Sequence, residues 1–172
     1  MLDREAVSTF QSGLRGKLIQ PGDPDYDEAR KVYNGMIDKR PALIARTIES
    51  LAGAKRAIVH VYSATSPLFR ETVFAMQKAD VVQMTVDAVH QIRELCAARP
   101  ETEWTLEFSP ETFSATELEY AREICDAATE AWGATPARKV ILNLPATVEV
   151  STPNVYADQI EWMHRHLARR DS

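Results

Sequence analysis

Three groups of polar side chains stand where apolar runs end. His60 lies in RAIVHVY and is followed by Ser63 and Thr65. Glu111 follows WTLEF in the string FSPETF, and Asn143 and Thr147 lie in or just after KVILNLP. In parallel α/β folds, functional groups collect at the carboxyl ends of the strands. An imidazole, a carboxylate and a hydroxyl placed there on adjacent strands could bind a small polar substrate. The competing reading is that each residue caps a helix or satisfies a loop carbonyl.

The other chemistry-bearing residues point to packing or to solvent. His164, Arg165 and His166 fall on an expected helix, where residues two apart are turned about 200° from each other and cannot share an ion. One partly buried and one solvated histidine is the expectation there. His90 and Glu94, four apart on another helix, read as a surface pair. The two cysteines, Cys96 and Cys125, are too few for a disulfide framework and are not spaced for zinc. Both fall inside apolar helical patterns, which fits buried thiols in a reducing cytoplasm. No complete catalytic set and no metal site emerges.

The elements that must position these residues form a regular series. Arg56–Tyr62 is a β-branched, mostly apolar run and reads as the first strand. The string from Ser63 to Pro67 opens a helix, with a hydroxyl cap and proline in the first turn. A long helix follows over about Lys78–Ala98, with Val81, Val82, Thr85, Val89, Ile92 and Leu95 on one stripe. Trp104–Phe108 is the second strand and Ala115–Trp132 the next helix, with Leu118, Ala121, Ile124 and Cys125 inward. Val140–Leu144 is the third strand. Pro153–Arg170 is the last helix, with Tyr156, Ile160, Met163, His164 and Leu167 on one face. Strands alternating with helices imply right-handed crossovers and a parallel sheet, buried on both faces. Before this series, the turn Gln20–Pro24 precedes a helix carrying Tyr26, Ala29, Val32, Tyr33 and Met36. After Pro41, ALIAR fits either a short strand or a helix ending near Gly53, and the helical spacing of Leu43, Ile44, Ile48 and Leu51 favours the helix.

Composition excludes several classes. The chain has 172 residues, 45% hydrophobic and 26% charged, with net charge −5. It offers no basic surface for nucleic acid or an anionic membrane. No apolar run approaches the roughly 20 residues that span a bilayer. The N-terminal string MLDREAVSTFQSG has no apolar signal core.

The strings LAGAKRAIVHVYSATSP, RPETEWTLEFSPETFSATELEYAREICDA and RKVILNLPATVEVSTPNVYADQIEW resemble successive stretches of the 2-isopropylmalate synthase family. The resemblance covers residues 48–172. It implies a (β/α)8 barrel that condenses acetyl-CoA with 2-oxoisovalerate, using a divalent metal (zinc or magnesium), in leucine synthesis. By the same resemblance, His60, Glu111 and Thr147 line the 2-oxo acid pocket. The Thr147 hydroxyl would bond the substrate carboxylate, while His60 and Glu111 orient the oxo acid and the acyl group. The family also carries an Arg-Asp pair at its first barrel strand and a His-x-His after the stretch NVYADQIEW. Neither is present here, so a truncated barrel, inactive alone, is the expectation.

Residues 10–46 carry a different resemblance. FQSGLRGKLIQPGDPDYDEARKVYNGMIDKRPALIAR is similar to the opening of berberine-bridge-type FAD-linked oxidases. The flavin contacts of that family lie in a later glycine-rich loop; this chain has six glycines and no Gly-Gly pair, so FAD is not expected.

The reading is therefore a fusion: an oxidase-like segment over 1–47, mostly helical, joined to a partial TIM barrel over 48–172 with about three parallel strands. A complete barrel needs about 250 residues, so open sheet edges and self-association are expected. Three functions remain open. They are a fragment with a residual 2-oxo acid pocket, an acyltransferase completed by a partner chain, and a non-catalytic module that binds a partner through its open half-barrel face.

Overall fold

Trp104, Leu106 and Phe108 alternate with Thr105, Glu107 and Ser109, and this period-two pattern makes a strand with one apolar face. That strand, β2 (Glu103–Glu111), lies in the middle of a three-stranded parallel sheet of order β1-β2-β3. β1 (Arg56–Ala64) pairs with it from Arg56↔Glu103 to Ala64↔Glu111. β3 (Val140–Leu142) pairs with Leu106–Phe108. The computed structural model describes residues 40–172. The chain divides into two units, 1–41 and 42–172, and the description concerns the second.

Four helices accompany the sheet in the described residues: α1 (Arg40–Ser50), α2 (Lys78–Ala97), α3 (Leu118–Trp132) and α4 (Pro153–His166). The stretch after Pro41 is thus helical, and Gly53 turns the chain at φ +86° toward β1. Asp80 starts α2 by accepting the Gln77 backbone N–H at 2.9 Å, closing a capping box. Gly133 ends α3 in the left-handed region at φ +73°.

The helices lie on one face of the sheet, as right-handed crossovers require. Val59, Leu106 and Phe108 from the sheet meet Val81, Val89 and Ile92 of α2 and Ile124, Ala128 and Trp132 of α3, all buried. Ile48 and Met163 bring α1 and α4 to the same core. Each such large side chain contributes about 1.5–3 kcal/mol by leaving water. The expectation that the strands are buried on both faces is corrected. On the opposite face Ile58 is 55% exposed, Tyr62 58% and Ile141 40%.

Other boundaries move as well. β2 runs on through Ser109 and Pro110 to Glu111, because its partner β1 continues beside it. β3 ends at Leu142, and α4 ends at His166 rather than Arg170. The segment after Pro67 contains a π-helical turn, Phe69–Phe74, closed by Ala75 at φ +50°. No hydroxyl caps that turn. A 3-10 turn, Phe113–Ala115, precedes α3. The helix expected after Asp25 lies outside the described residues. The observed order is three consecutive β/α units of a (β/α)8 barrel. Among the described residues, no helix is long and apolar enough to cross a membrane.

Candidate functional site

The period-two pleat brings one row of polar side chains on the open face from β1 across β2 to the residue just past β3. Ser109, the central member, is 0% exposed. Its Oγ lies 2.7 Å from His60 Nε2 on β1. It also accepts a hydrogen bond from Asn143 Nδ2, just past β3, at 2.8 Å. A serine hydroxyl has one hydrogen and two lone pairs. With one lone pair taken by Asn143, it donates to a bare His60 Nε2 or accepts from a protonated one. Glu107 Oε1, opposite His60 in the register, stands 4.0 Å from the same nitrogen.

One pleat further along β2, Glu111 Oε2 accepts a hydrogen bond from Thr147 Oγ1 at 2.6 Å. Ser109 and Glu111 are two apart on one face, roughly 7 Å along the strand. The structure therefore brings Glu111 and Thr147 into contact, and sets His60 beside Ser109 and Asn143 instead. The loop carrying Thr147 is held from below. Ser114 Oγ donates to the Val148 carbonyl at 2.7 Å, and the Tyr156 hydroxyl donates to the Leu144 carbonyl.

Ser63 and Thr65 serve the scaffold. Ser63 Oγ pairs with Thr85 Oγ1 at 2.9 Å between β1 and α2. The Thr65 backbone N–H and hydroxyl both donate to the Glu111 carbonyl, at 3.0 and 2.9 Å. Directly after Glu111, Thr112 holds φ +61°, a strained conformation for a β-branched residue. Its hydroxyl accepts the Ser66 N–H at 3.2 Å.

Beneath these loops Arg70 is buried and meets both carboxylate oxygens of Glu117, at 2.8 and 2.9 Å, while Lys78 Nζ lies 3.1 Å from one of them. Burial works against the Glu117 charge. Hydrogen bonds from its own backbone, Lys78 and Arg70, with the Arg70 charge, outweigh burial and hold its pKa below the usual carboxylate value.

The remaining candidates are not brought together. His164 and His166 are both exposed, which corrects the expectation of one partly buried ring. His164 contacts Arg170, and His166 stacks on Trp162 with ring centres 4.1 Å apart. Met163, expected on the same inward face as His164, is buried. His90 and Glu94 are both exposed on α2. Cys96 and Cys125 are free and buried. Burial pushes the Cys96 thiol up to about 11, against the pull of Arg138 and Arg99, and pushes Cys125 higher still.

Ser109 and Glu107 were not among the residues read from the sequence. Their signal is the alternation in WTLEFSPE, which places 105, 107, 109 and 111 on the face opposite the core.

A parallel sheet with helices on one face and polar groups toward the carboxyl ends of its strands is the architecture of part of a (β/α)8 barrel. The HMGL-like family pattern matches residues 26–172, and the chain belongs to that family. It is 63% identical over 155 residues to the 2-isopropylmalate synthase of Pseudomonas syringae pv. tomato, covering 90% of this chain and 27% of the relative. The synthase of Ralstonia nicotianae is 56% identical over 159 residues, covering 86% and 28%. That of Parvibaculum lavamentivorans is 55% identical over 166 residues, covering 96% and 29%. The chain thus spans under a third of the length of these curated relatives.

Proposed function

We propose that residues 48–172 hold the 2-oxo acid part of a 2-isopropylmalate-synthase-type site. His60, Glu111 and Thr147 would touch the substrate, with Ser109 and Asn143 fixing the His60 ring. The observation that carries this reading is the 2.6 Å pairing of Thr147 with Glu111 beside the His60–Ser109–Asn143 row. A 2-oxo acid presents a carboxylate and a ketone, both acceptors. The Thr147 hydroxyl hydrogen, now resting on Glu111, can swing to that carboxylate, which leaves Glu111 facing the acyl group of acetyl-CoA.

The resemblance also implies a divalent ion. Among the described residues no three ligating side chains gather. This face carries two hydroxyls, an amide and an imidazole that can meet the oxygens of an oxo acid, together with the carboxylates of Glu107 and Glu111. Binding of the oxo acid by these 172 residues without condensation is the corresponding expectation. Isothermal titration with 2-oxoisovalerate tests it, wild type against Glu111→Ala. Heat from the wild type and little from the variant supports the pocket; equal heats remove it.

A second reading is favoured by the exposed Ile58, Tyr62 and Ile141, which share the open sheet face. There the chain acts as a non-catalytic module that engages a partner barrel through that face. Separate elution of this chain and an intact synthase on size exclusion would count against it.

The boundary near residue 47 and the oxidase-like origin of residues 10–46 belong to the same proposal. The oxidase-like strings support it, although the family match already begins at residue 26. Limited proteolysis that leaves a stable piece starting near that boundary is the expected result; cuts spread evenly over 48–172 would speak against it. The two buried thiols suit a reducing cytoplasm.

A further inference from the structure

Arg70 is almost completely buried, yet it touches none of the proposed substrate residues. It sits in the π-helical turn Phe69–Phe74, a distortion that often marks functional regions. Its guanidinium has three engagements. Nη2 meets both oxygens of Glu117 at the start of α3. Nε donates to the Thr65 carbonyl at 2.9 Å. The plane lies 4.8 Å over the Tyr120 ring. Lys78 already lies 3.1 Å from Glu117, so neutralising that carboxylate does not by itself explain a buried guanidinium.

The Nε bond gives the explanation. Thr65, gripped by its carbonyl, brings its backbone N–H and its hydroxyl to the carbonyl of Glu111, which the Thr112 hydroxyl also meets, while the Thr65 hydroxyl lies 2.8 Å from Thr116 Oγ1 as well. Glu111 is the last residue of β2, and the next residue, Thr112, is held at positive φ. Without an external hold, a β-branched residue leaves that region, and the Glu111 peptide turns with it. Hydrogen bonds therefore link Glu117, Arg70 and Thr65 to the backbone carbonyl of Glu111, the residue whose side-chain carboxylate meets Thr147.

We infer that Arg70, acting through Thr65, is a positioning residue that sets the direction of the Glu111 side chain toward Thr147 and the oxo acid. The inference rests on the proposed 2-oxo acid site for its ligand readout, but the Arg70–Glu111 link is measurable without ligand. Arg70→Lys keeps the charge beside Glu117 but lacks the planar fork that serves Glu117 and Thr65 together. Thr65→Val removes one donor to Glu111, and Thr65→Ser restores it.

The test uses the full chain and two readouts. The first is the methyl resonance of Thr147 in the free protein. It is expected to shift in Arg70→Lys and Thr65→Val and to return to the wild-type position in Thr65→Ser. The second is a double-mutant cycle in 2-oxoisovalerate affinity. Arg70→Lys is expected to weaken binding about fivefold with Glu111 present, a single hydrogen bond's worth, and under about twofold in a Glu111→Gln background. An unmoved Thr147 methyl in folded variants overturns the inference, as does equal weakening in both backgrounds. If wild type gives no heat with 2-oxoisovalerate, the proposed site fails, while the methyl resonance still decides the Arg70–Glu111 link. If Arg70→Lys does not fold, the Thr65→Val and Thr65→Ser pair carries the same decision.

Discussion

Thr147 Oγ1 donates to Glu111 Oε2 across 2.6 Å, joining the loop after β3 to the last residue of β2. The bond spans 36 residues of sequence and fixes a carboxylate and a hydroxyl side by side at the end of the sheet. Thr147 is exposed, so its removal costs the fold little. Thr147→Val is expected to change unfolding free energy by less than about 0.5 kcal/mol in urea titration. The same variant should weaken 2-oxoisovalerate binding about fivefold, because a donor to the carboxylate is gone. A large loss of stability with unchanged affinity would reverse the roles assigned here.

Ser109 has the opposite profile, fully buried between two polar partners. Ser109→Ala leaves Asn143 Nδ2 and His60 Nε2 without their shared oxygen. The expected cost is about 1–3 kcal/mol, from partly desolvated groups left unpaired. Denaturant midpoints of the two proteins check it. A neutral or stabilising effect would mean that water takes over the row without loss.

Acid should loosen the link between the π-turn and α3. The Glu117 pKa is held below its usual 4.5, chiefly against the cost of burial, by its own backbone, Lys78 and Arg70. A lowered folded pKa contributes stability that is present above the unfolded value and lost as pH falls through the folded one. Stability should therefore fall below about pH 4.5, in part through this group. Glu117→Gln should be less stable at neutral pH, because Arg70 stays buried without its partner, and should show a flatter acid limb. A full acid limb in that variant would assign the loss to other carboxylates.

The cysteines give a prediction of opposite sign. Burial raises Cys96 from 9.0 to about 11 and Cys125 further. A thiol whose folded pKa is raised favours folding below the unfolded value and loses that contribution as pH rises toward the folded one. Alkaline destabilisation is expected to begin above about pH 9, with both thiols silent to an aromatic disulfide reagent at neutral pH until denaturant is added. Rapid labelling of the native chain would contradict the packing of α2 and α3.

The open sheet face should govern association. Ile58 and Tyr62 are more than half exposed on β1, the edge strand of the sheet among the described residues. Ile58→Ser with Tyr62→Ser is expected to shift the chain toward monomer in sedimentation analysis. An unchanged distribution would place any self-contact elsewhere.

Much of this architecture was legible in the residues, for physical reasons. RAIVHVY and KVILNLP announce strands through β-branched runs, and the stripes Val81–Ile92 and Ala121–Cys125 announce helices that pack inward. Glu111 and Thr147 were both marked, since polar residues at strand ends are visible against apolar runs. Ser109 was not, because the dipeptide Ser109-Pro110 reads locally as a turn, while pairing with β1 keeps it extended. The π-turn was also hidden, as nothing in FRETVF distinguishes a wide turn from a regular one. Arg70 looks like a surface cation in sequence, and its burial depends on Glu117, 47 residues away.

The most direct measurement of the central claim is amide chemical-shift mapping of the full chain with 2-oxoisovalerate. The account predicts saturable shifts at His60, Ser109, Glu111 and Thr147, abolished in Glu111→Ala. Shifts confined to α2 or α4, or none at these four residues at millimolar ligand, would contradict it.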